Sequence, residues 1–456
     1  MSNLLASILA QKEKEIHDLP KMISVSRKRN YNFINAILNN GIIAEIKPKS
    51  PSQGDIIPRS KVPKYVKMYD ESAQAISVLC DFKFFGGGFE LLSEVRKLTN
   101  KPLLAKEFIL SKKQILQAKH HGADAILLIA SILEASTIAS LAKYATYYGL
   151  DVLIEVHNKI DCDKVILAFN NLPNPVTNHI IIGINNRDLD TLEINIKITK
   201  KFAPYLRKNI TNLRGIISES GISSPVETQA LSKYVNGYLI GTSILKSKNP
   251  SEYIMSLRPK KVKFCGFTRK EDIKIAEDLG VDYLGFIFVP ESPRYLTFNQ
   301  AKKLRGYVKR ASVVGVFGEM PMKDIKKYAK ELRLDFIQLH GEPNIKKVRQ
   351  ISKKAIQVFQ GVPKLSVAED YLKFSQFILI DKAKGERSVD ITKIAKFPYS
   401  VRSKMFIAGG LQPSNVKNVV HITQPYAVDC ASGIEAKNPG KKCSKTMTSF
   451  IHNLQK

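Results

Sequence analysis

The sequence predicts an α/β protein built from two consecutive (β/α)8 barrels. Three observations carry that prediction: the length of 456 residues, sixteen short apolar runs separated by helix-like stretches, and a break in the rhythm near Pro259. Single cores stop growing beyond roughly 250–300 residues, so a chain of this length divides into domains. A strand covered on both faces reads as a near-continuous β-branched run, and eight such strands, each followed by a helix, close into a barrel.

In the first half the runs are IIAEIK from Ile42, AISVLC from Ala75, LLAKEF from Leu103 and AILLIA from Ala125, then VLIEVH from Val152, IIIGIN from Ile180, GIISES from Gly215 and GYLIG from Gly237. Amphipathic stretches such as SKKQILQAKHHG lie between most of them. The residues ahead of Ile42 read as helices added before the first strand. The second half repeats the pattern with VKFCG from Val262, DYLGFIF from Asp282, SVVGVF from Ser312, DFIQLH from Asp335, IQVFQ from Ile356, FILID from Phe377, MFIAGG from Met405 and YAVDCAS from Tyr426. A proline follows the last helix of the first half in SLRPKKVKF, so the domains are read as 1–258 and 259–456.

Composition excludes several classes. The net charge is +30, but the lysines are spread in ones and twos, with no basic tail and no recognition-helix block. That argues against nucleic acid and leaves a positive field that attracts anionic metabolites. No apolar run reaches the roughly 18 residues of a membrane span, and the opening MSNLLASILAQKEKEIHDLP is not a targeting peptide. A cytoplasmic monomer is expected. The five cysteines, Cys80, Cys162, Cys265, Cys430 and Cys443, include no CxxC pair, which argues against disulfides and zinc. Each reads as a small buried residue, with Cys265 alone lifted above that reading. No dinucleotide or Walker loop and no HExxH is present, so neither cofactor nor metal is expected.

Charges interrupt the first-half strands where a packed strand should be apolar. Glu45 and Lys47, Lys106, Glu155, Asn185 and Arg187, and Glu219 with Ser220 each fall at the carboxyl end of a different run. Buried charge is costly unless paired, so this loading reads as a catalytic rim, where lysines and glutamates perturb one another for acid–base work. Small residues after the seventh and eighth runs recur in both halves (ISESGI and YLIGTS, IAGGL and VDCASG), the pattern of two phosphate sites.

AEIKPKSPSQG, LLAKEFIL, LIEVHN, IGINNRDL, ISESGI and YLIGTSIL, in that order, resemble indole-3-glycerol-phosphate synthase from about Leu4 to Arg258. The resemblance implies decarboxylating, dehydrating closure of an indole ring. Lys106 would be the general acid on the substrate ketone. Glu155 and Glu45 would handle the dehydration protons, and Lys47 would pair with a substrate anion. Ser50, Asn185, Arg187, Glu219 and Ser220 would orient the substrate, and Gly221, Gly241 and Thr242 would cradle its phosphate. Two positions depart from the family: Glu107 stands for Asp after the lysine, and Gln53 for Lys in the SPSxG loop.

VKFCGFTRKED, DYLGFIFVPESPRYLT, FIQLHGE, FILID, IAGGLQPSNV and AVDCASGIEAKNPGKK resemble phosphoribosylanthranilate isomerase from about Lys261 to Leu454. This implies an Amadori rearrangement with Cys265 as base and Asp381 as acid. Arg294 would grip the anthranilate carboxylate bidentately, with His340 also on the substrate. Gly409, Gly410, Ser432 and Gly433 would hold the phosphate. After the acid the family has a glycine-rich loop, whereas this chain has DKAKGERSVDIT with only Gly385; Glu386 could repel phosphate and Arg387 compensate. Gly318, Glu319 and Cys443 depart as well. The implied ligands are phosphorylated anthranilate derivatives. Two other readings stand beside the bifunctional one: a synthase whose second barrel is a scaffold, and a basic interaction protein on a barrel framework.

Overall fold

Each of the sixteen apolar runs forms a strand in the structure, a computed structural model that describes residues 3–20, 23–28, 30–51, 54–188, 191 and 193–454. Two units are distinguished, Met1–Pro259 and Lys260–Lys456. The first contains β1 (Gly41–Ile46), β2 (Ala75–Leu79), β3 (Leu103–Lys106), β4 (Ala125–Ile129), β5 (Asp151–Val156), β6 (Ile180–Asn185), β7 (Ile216–Glu219) and β8 (Gly237–Ile240). The second contains β9 (Lys261–Cys265), β10 (Tyr283–Ile287), β11 (Ser312–Phe317), β12 (Phe336–Leu339), β13 (Ala355–Gln360), β14 (Phe377–Asp381), β15 (Met405–Ile407) and β16 (Ala427–Cys430). Both sets close in sequence order as parallel barrels, β1 on β8 and β9 on β16.

The two-residue period of a strand divides the side chains between two layers. On β1, Ile42, Ala44 and Ile46 pack outward against helices, while Ile43 and Glu45 point inward. Inward positions near the amino ends include Ile43, Leu104 and Ile181, with Asp151 there accepting from the Ile34 N–H of the floor helix, and the charged groups that reach the cavity come at the carboxyl ends. In register, Glu155 lies opposite Gly183 and Asn185 opposite Glu219, so the polar residues gather at one level.

The floors of the two barrels differ. Ahead of β1 lie α1 (Asn3–Asp18) and α2 (Phe33–Ile37), the added helices expected from the sequence. The Asn32 side chain caps α2 by accepting from the Asn35 N–H. Phe33, Ile34 and Ile37 of α2 then join Ile43, Leu104, Leu153 and Ile181 in the barrel interior. The second barrel fills the same place with rings. Tyr283, Phe336, Phe377, Phe406 and Tyr426 cluster there, with Phe377 and Tyr426 stacked at 4.4 Å and the Tyr283 and Tyr426 hydroxyls 2.6 Å apart.

One element was not foreseen. The loop after β1 folds into a small antiparallel hairpin, Lys49–Ser50 against Gly54–Asp55, too short to leave an alternating pattern in the sequence. Gln53 lies outside the described residues. All five cysteines are free; four are buried and Cys443 is partly exposed, which departs from the reading of it as a core residue. No helix among the described residues is long and apolar enough to cross a membrane.

Candidate active sites

A cavity of about 560 Å³ opens at the carboxyl ends of the first barrel's strands. Glu45, Lys47, Lys106, Glu155, Asn185, Arg187, Ser220, Gly221, Gly241 and Thr242 all reach its wall. The Lys106 ammonium donates to Glu219 at 2.8 Å and to Glu155 at 3.3 Å, and Lys47 pairs with Glu45 at 2.9 Å. Burial opposes the Lys106 charge, but Glu219, Glu155 and Glu45 outweigh it and hold the ammonium above its ordinary range. The two carboxylates on this lysine are driven apart. Burial would raise Glu155, yet Lys106 and then His157 hold it well below the ordinary range. For Glu219 burial outweighs the pull of Lys106, and the neighbouring Glu155 adds to it, so this carboxyl is raised. Two neighbouring carboxyl groups pushed in opposite directions suit paired acid and base roles.

Local sequence explains the crowding. Gly183 faces Glu219 across the strand pair, and a Cβ on it would sit 2.0 Å from Glu219 Oε1. Glu219 itself is buried behind Lys106 rather than on the cavity wall. The turn after β7 puts Ser220 at φ 61° and Gly221 at φ 76°. Asn186 ties that turn down: its amide donates to Ser218 Oγ and to the Glu219 and Ser220 carbonyls. Ser50, expected on the substrate, is buried in the small hairpin and does not line the cavity. Glu107, the departure beside Lys106, pairs with Lys12 of α1 at 3.1 Å, and Lys12 also meets Asp81 at 2.8 Å. Burial pushes Glu107 up to about 7. The sequence reading missed Lys12, His157, Asn186 and Lys246, the last of which reaches the cavity beside Ser243. His157 and Asn186 lay within quoted motifs, LIEVHN and IGINNRDL.

The second barrel holds a smaller cavity, about 310 Å³, at the corresponding end. Cys265, Arg294, His340, Asp381, Gly409, Gly410 and Ser432 line it, and Gly433 does not. Gly285 makes room for the thiol, since a Cβ there would lie 2.5 Å from Cys265 Sγ. Burial pushes the Cys265 thiol up, with Lys263 and Lys442 pulling it down. Lys263 is fully buried and pairs with Asp429 at 2.6 Å. Asp429 Oδ1 and Gln338 Oε1 are buried acceptors with no hydrogen-bond partner, on residues that line the cavity. None of Lys263, Asp429 and Gln338 was singled out from sequence, because a single polar residue inside an apolar run carries no label for its partner.

Two expectations need correction. The bidentate edge of Arg294 is already engaged: Nε and Nη2 donate to Glu435 at 2.8 and 2.6 Å, and Glu435 also pairs with Lys442 at 3.0 Å. The Nη1 donors and one Nη2 hydrogen of Arg294 are left over by Glu435. In the altered loop, Glu386 and Arg387 point away as exposed residues and Lys382 lines the cavity. The loop packs on the two glycines, as a Cβ on Gly410 would meet the Arg387 carbonyl. Among the described residues no group of three or more His, Cys, Asp or Glu side chains could hold a metal ion.

Comparison with known proteins matches each unit separately. The indole-3-glycerol phosphate synthase family profile covers residues 5–257, and that of N-(5'phosphoribosyl)anthranilate (PRA) isomerase covers residues 262–453. The tryptophan biosynthesis protein TrpCF of Buchnera aphidicola subsp. Diuraphis noxia is 34% identical over 93% of this chain and 91% of its own length. TrpCF of Helicobacter pylori is also 34% identical, over 97% of each chain. A crystal structure of phosphoribosyl anthranilate isomerase from Thermotoga maritima is 31% identical, covering 43% of this chain and 98% of its own at a TM-score of 0.39. The full-length relatives align through both barrels and leave neither half over, so the chain belongs to the bifunctional tryptophan-biosynthesis family that joins indole-3-glycerol-phosphate synthase to phosphoribosylanthranilate isomerase.

Proposed function

We propose how this chain's residues divide the two reactions. In the second barrel Asp381 protonates the furanose oxygen of phosphoribosylanthranilate as the ring opens. Cys265, as thiolate, then takes the C2′ proton, and tautomerisation gives the ketose. Lys263 beneath the thiol supplies the fixed positive neighbour that a cysteine base needs. Arg294 meets the anthranilate carboxylate with the donors Glu435 leaves over. The phosphate lies against Gly409, Gly410 and Ser432, with the Lys382 side chain standing in for a glycine-rich loop and Gly433 behind the wall.

In the first barrel Lys106 polarises the ketone of that product for attack by the aromatic ring, and carbon dioxide leaves. Glu155 takes a proton in the dehydration, Glu45 with Lys47 serves the departing hydroxyl, and Glu219 holds Lys106 in line. Asn185, Arg187 and Ser220 orient the substrate, with its phosphate against Gly221, Gly241 and Thr242. The observation that carries this reading is the ammonium of Lys106 held at the cavity wall between two buried carboxyl groups, Glu155 at 3.3 Å and Glu219 at 2.8 Å.

Each cavity is walled by its own barrel's residues, which supports a monomer; the biosynthetic activity supports a place in the cytoplasm. The test is a coupled assay on the full chain. Phosphoribosylanthranilate fluorescence should fall and indole-glycerol-phosphate absorbance follow. Turnover of the ketose phosphate alone, with no fluorescence loss, would overturn the isomerase assignments.

A further inference from the structure

His157 is a buried titratable residue that neither reaction scheme uses. It follows Glu155 by two positions at the end of β5 and sits off the cavity wall, 8% exposed. Its Nε2 lies 3.2 Å from Glu155 Oε1. Its Nδ1 lies 3.2 Å from Ser131 Oγ and 3.5 Å from Asp161 Oδ2. Asp161 is itself fixed. It accepts from the His157 N–H at 2.9 Å and from Ser131 Oγ at 2.5 Å, and its own N–H is capped by Asn158 at the start of helix Lys159–Asn170. The groups paired with the ring are thus Glu155 from its own strand, Asp161 from the following helix and the uncharged Ser131 from the loop after β4.

The arrangement breaks a symmetry that Lys106 cannot break. One ammonium faces both Glu155 and Glu219, and nothing in those two contacts says which carboxyl keeps a proton. Glu45 has Lys47 as a partner of its own, and Glu155 has His157. Glu219 meets Lys106 and lies against Glu155, and its Oε1 finds no donor in its buried position. Burial and the neighbouring Glu155 raise Glu219, while Lys106 and His157 lower Glu155, so a proton on the pair favours Glu219.

We infer that His157 is a positioning residue for ring closure: as an imidazolium clamped between Asp161 and Glu155, it fixes the Glu155 rotamer and keeps Glu155, not Glu219, the ionised member of the pair on Lys106. The inference rests on Glu155 being the base. The imidazole is held up at about 9, where burial is outweighed by Asp161 and Glu155, which agrees with a charged ring at neutral pH.

The experiment is the pH profile of ring closure in the full chain for His157→Asn and His157→Gln, with isomerase turnover in the same protein as the folding control. Removing the cation should lower kcat at neutral pH by about tenfold and move the acidic limb of the kcat profile up by about one unit. KM should stay within about twofold, since the ring touches no substrate. Wild-type kcat with an unmoved limb, or a raised KM at unchanged kcat, would overturn the inference. Glu155→Gln separates the two failures: if it retains kcat, the base assignment fails. If it loses kcat while both His157 variants do not, His157 alone is misassigned. Should the variants fail to fold, the wild-type ring decides, because nitrogen chemical shifts of an imidazole titrating near its ordinary 6.5 rather than near 9 would also overturn it.

Discussion

In the first barrel the charged groups meet at the mouth, on the alternate strands β1, β3, β5 and β7, above an aliphatic interior closed by α2. In the second the main ion pair, Lys263 with Asp429, lies inside the wall beneath Cys265, above a floor of stacked rings. The same architecture thus serves two electrostatic needs. On the proposed roles, ring closure needs a cation that substrate can reach, and Lys106 is displayed with its carboxyl partners around it. Isomerisation needs an anion made from a thiol, and burial pushes Cys265 up while Lys263 below it pulls it down.

The sharpest way to break the comparison is to remove one centre at a time. Lys106→Met should cut ring closure by about a hundredfold or more while isomerase turnover stays unchanged. Cys265→Ala should do the reverse, by about two orders of magnitude or more. Normal turnover in either variant's own reaction would sink that assignment. A smaller effect is expected at the matched close approaches. Gly183→Ala presses a methyl onto Glu219 Oε1, and Gly285→Ala presses one onto Cys265 Sγ. Each should slow only its own reaction, by about tenfold or more, and destabilise its barrel by about 1–3 kcal/mol in denaturant unfolding. Equal effects on both activities would mean the glycines serve folding alone.

The smallest effect is in stability against pH, where two groups contribute with opposite signs. Glu435 is held at about 2 because Arg294 and Lys442 outweigh burial. A carboxylate lowered in the folded state gives stability above its ordinary 4.5 that is lost as pH falls toward 2. His157 is raised in the folded state, so its contribution is whole below 6.5 and lost as pH rises through about 9. Pulsed hydrogen exchange after equilibration in denaturant reads each barrel's peptides apart. Acid should loosen β9 and β16 first, and alkali β4 and β5. Glu435→Gln should flatten the acid slope, and an unchanged slope would remove this ion-paired carboxylate as its cause.

The strands were legible in the sequence because barrel strands are covered on both faces and so form unbroken runs such as AILLI and FILID. The rim was legible for the opposite reason: Glu45, Lys106 and Glu155 break such runs, and buried charge demands a purpose. What stayed hidden is pairing at long range. Nothing near Arg294 announces Glu435, 141 residues away, and nothing near Lys106 announces that Glu219 stands behind it, 113 residues away. The hairpin around Ser50 stayed hidden because two-residue strands leave no period. His157 sat in LIEVHN unremarked, since its partner Asp161 belongs to the next helix and reads there as an ordinary first-turn acid.

The Lys263–Asp429 pair joins the first strand of its barrel to the last, 166 residues later. The lysine is therefore made long before the carboxylate that neutralises it inside the wall. Burying that ammonium unpaired costs several kcal/mol, so sealing β9 into the barrel is favourable only together with β16.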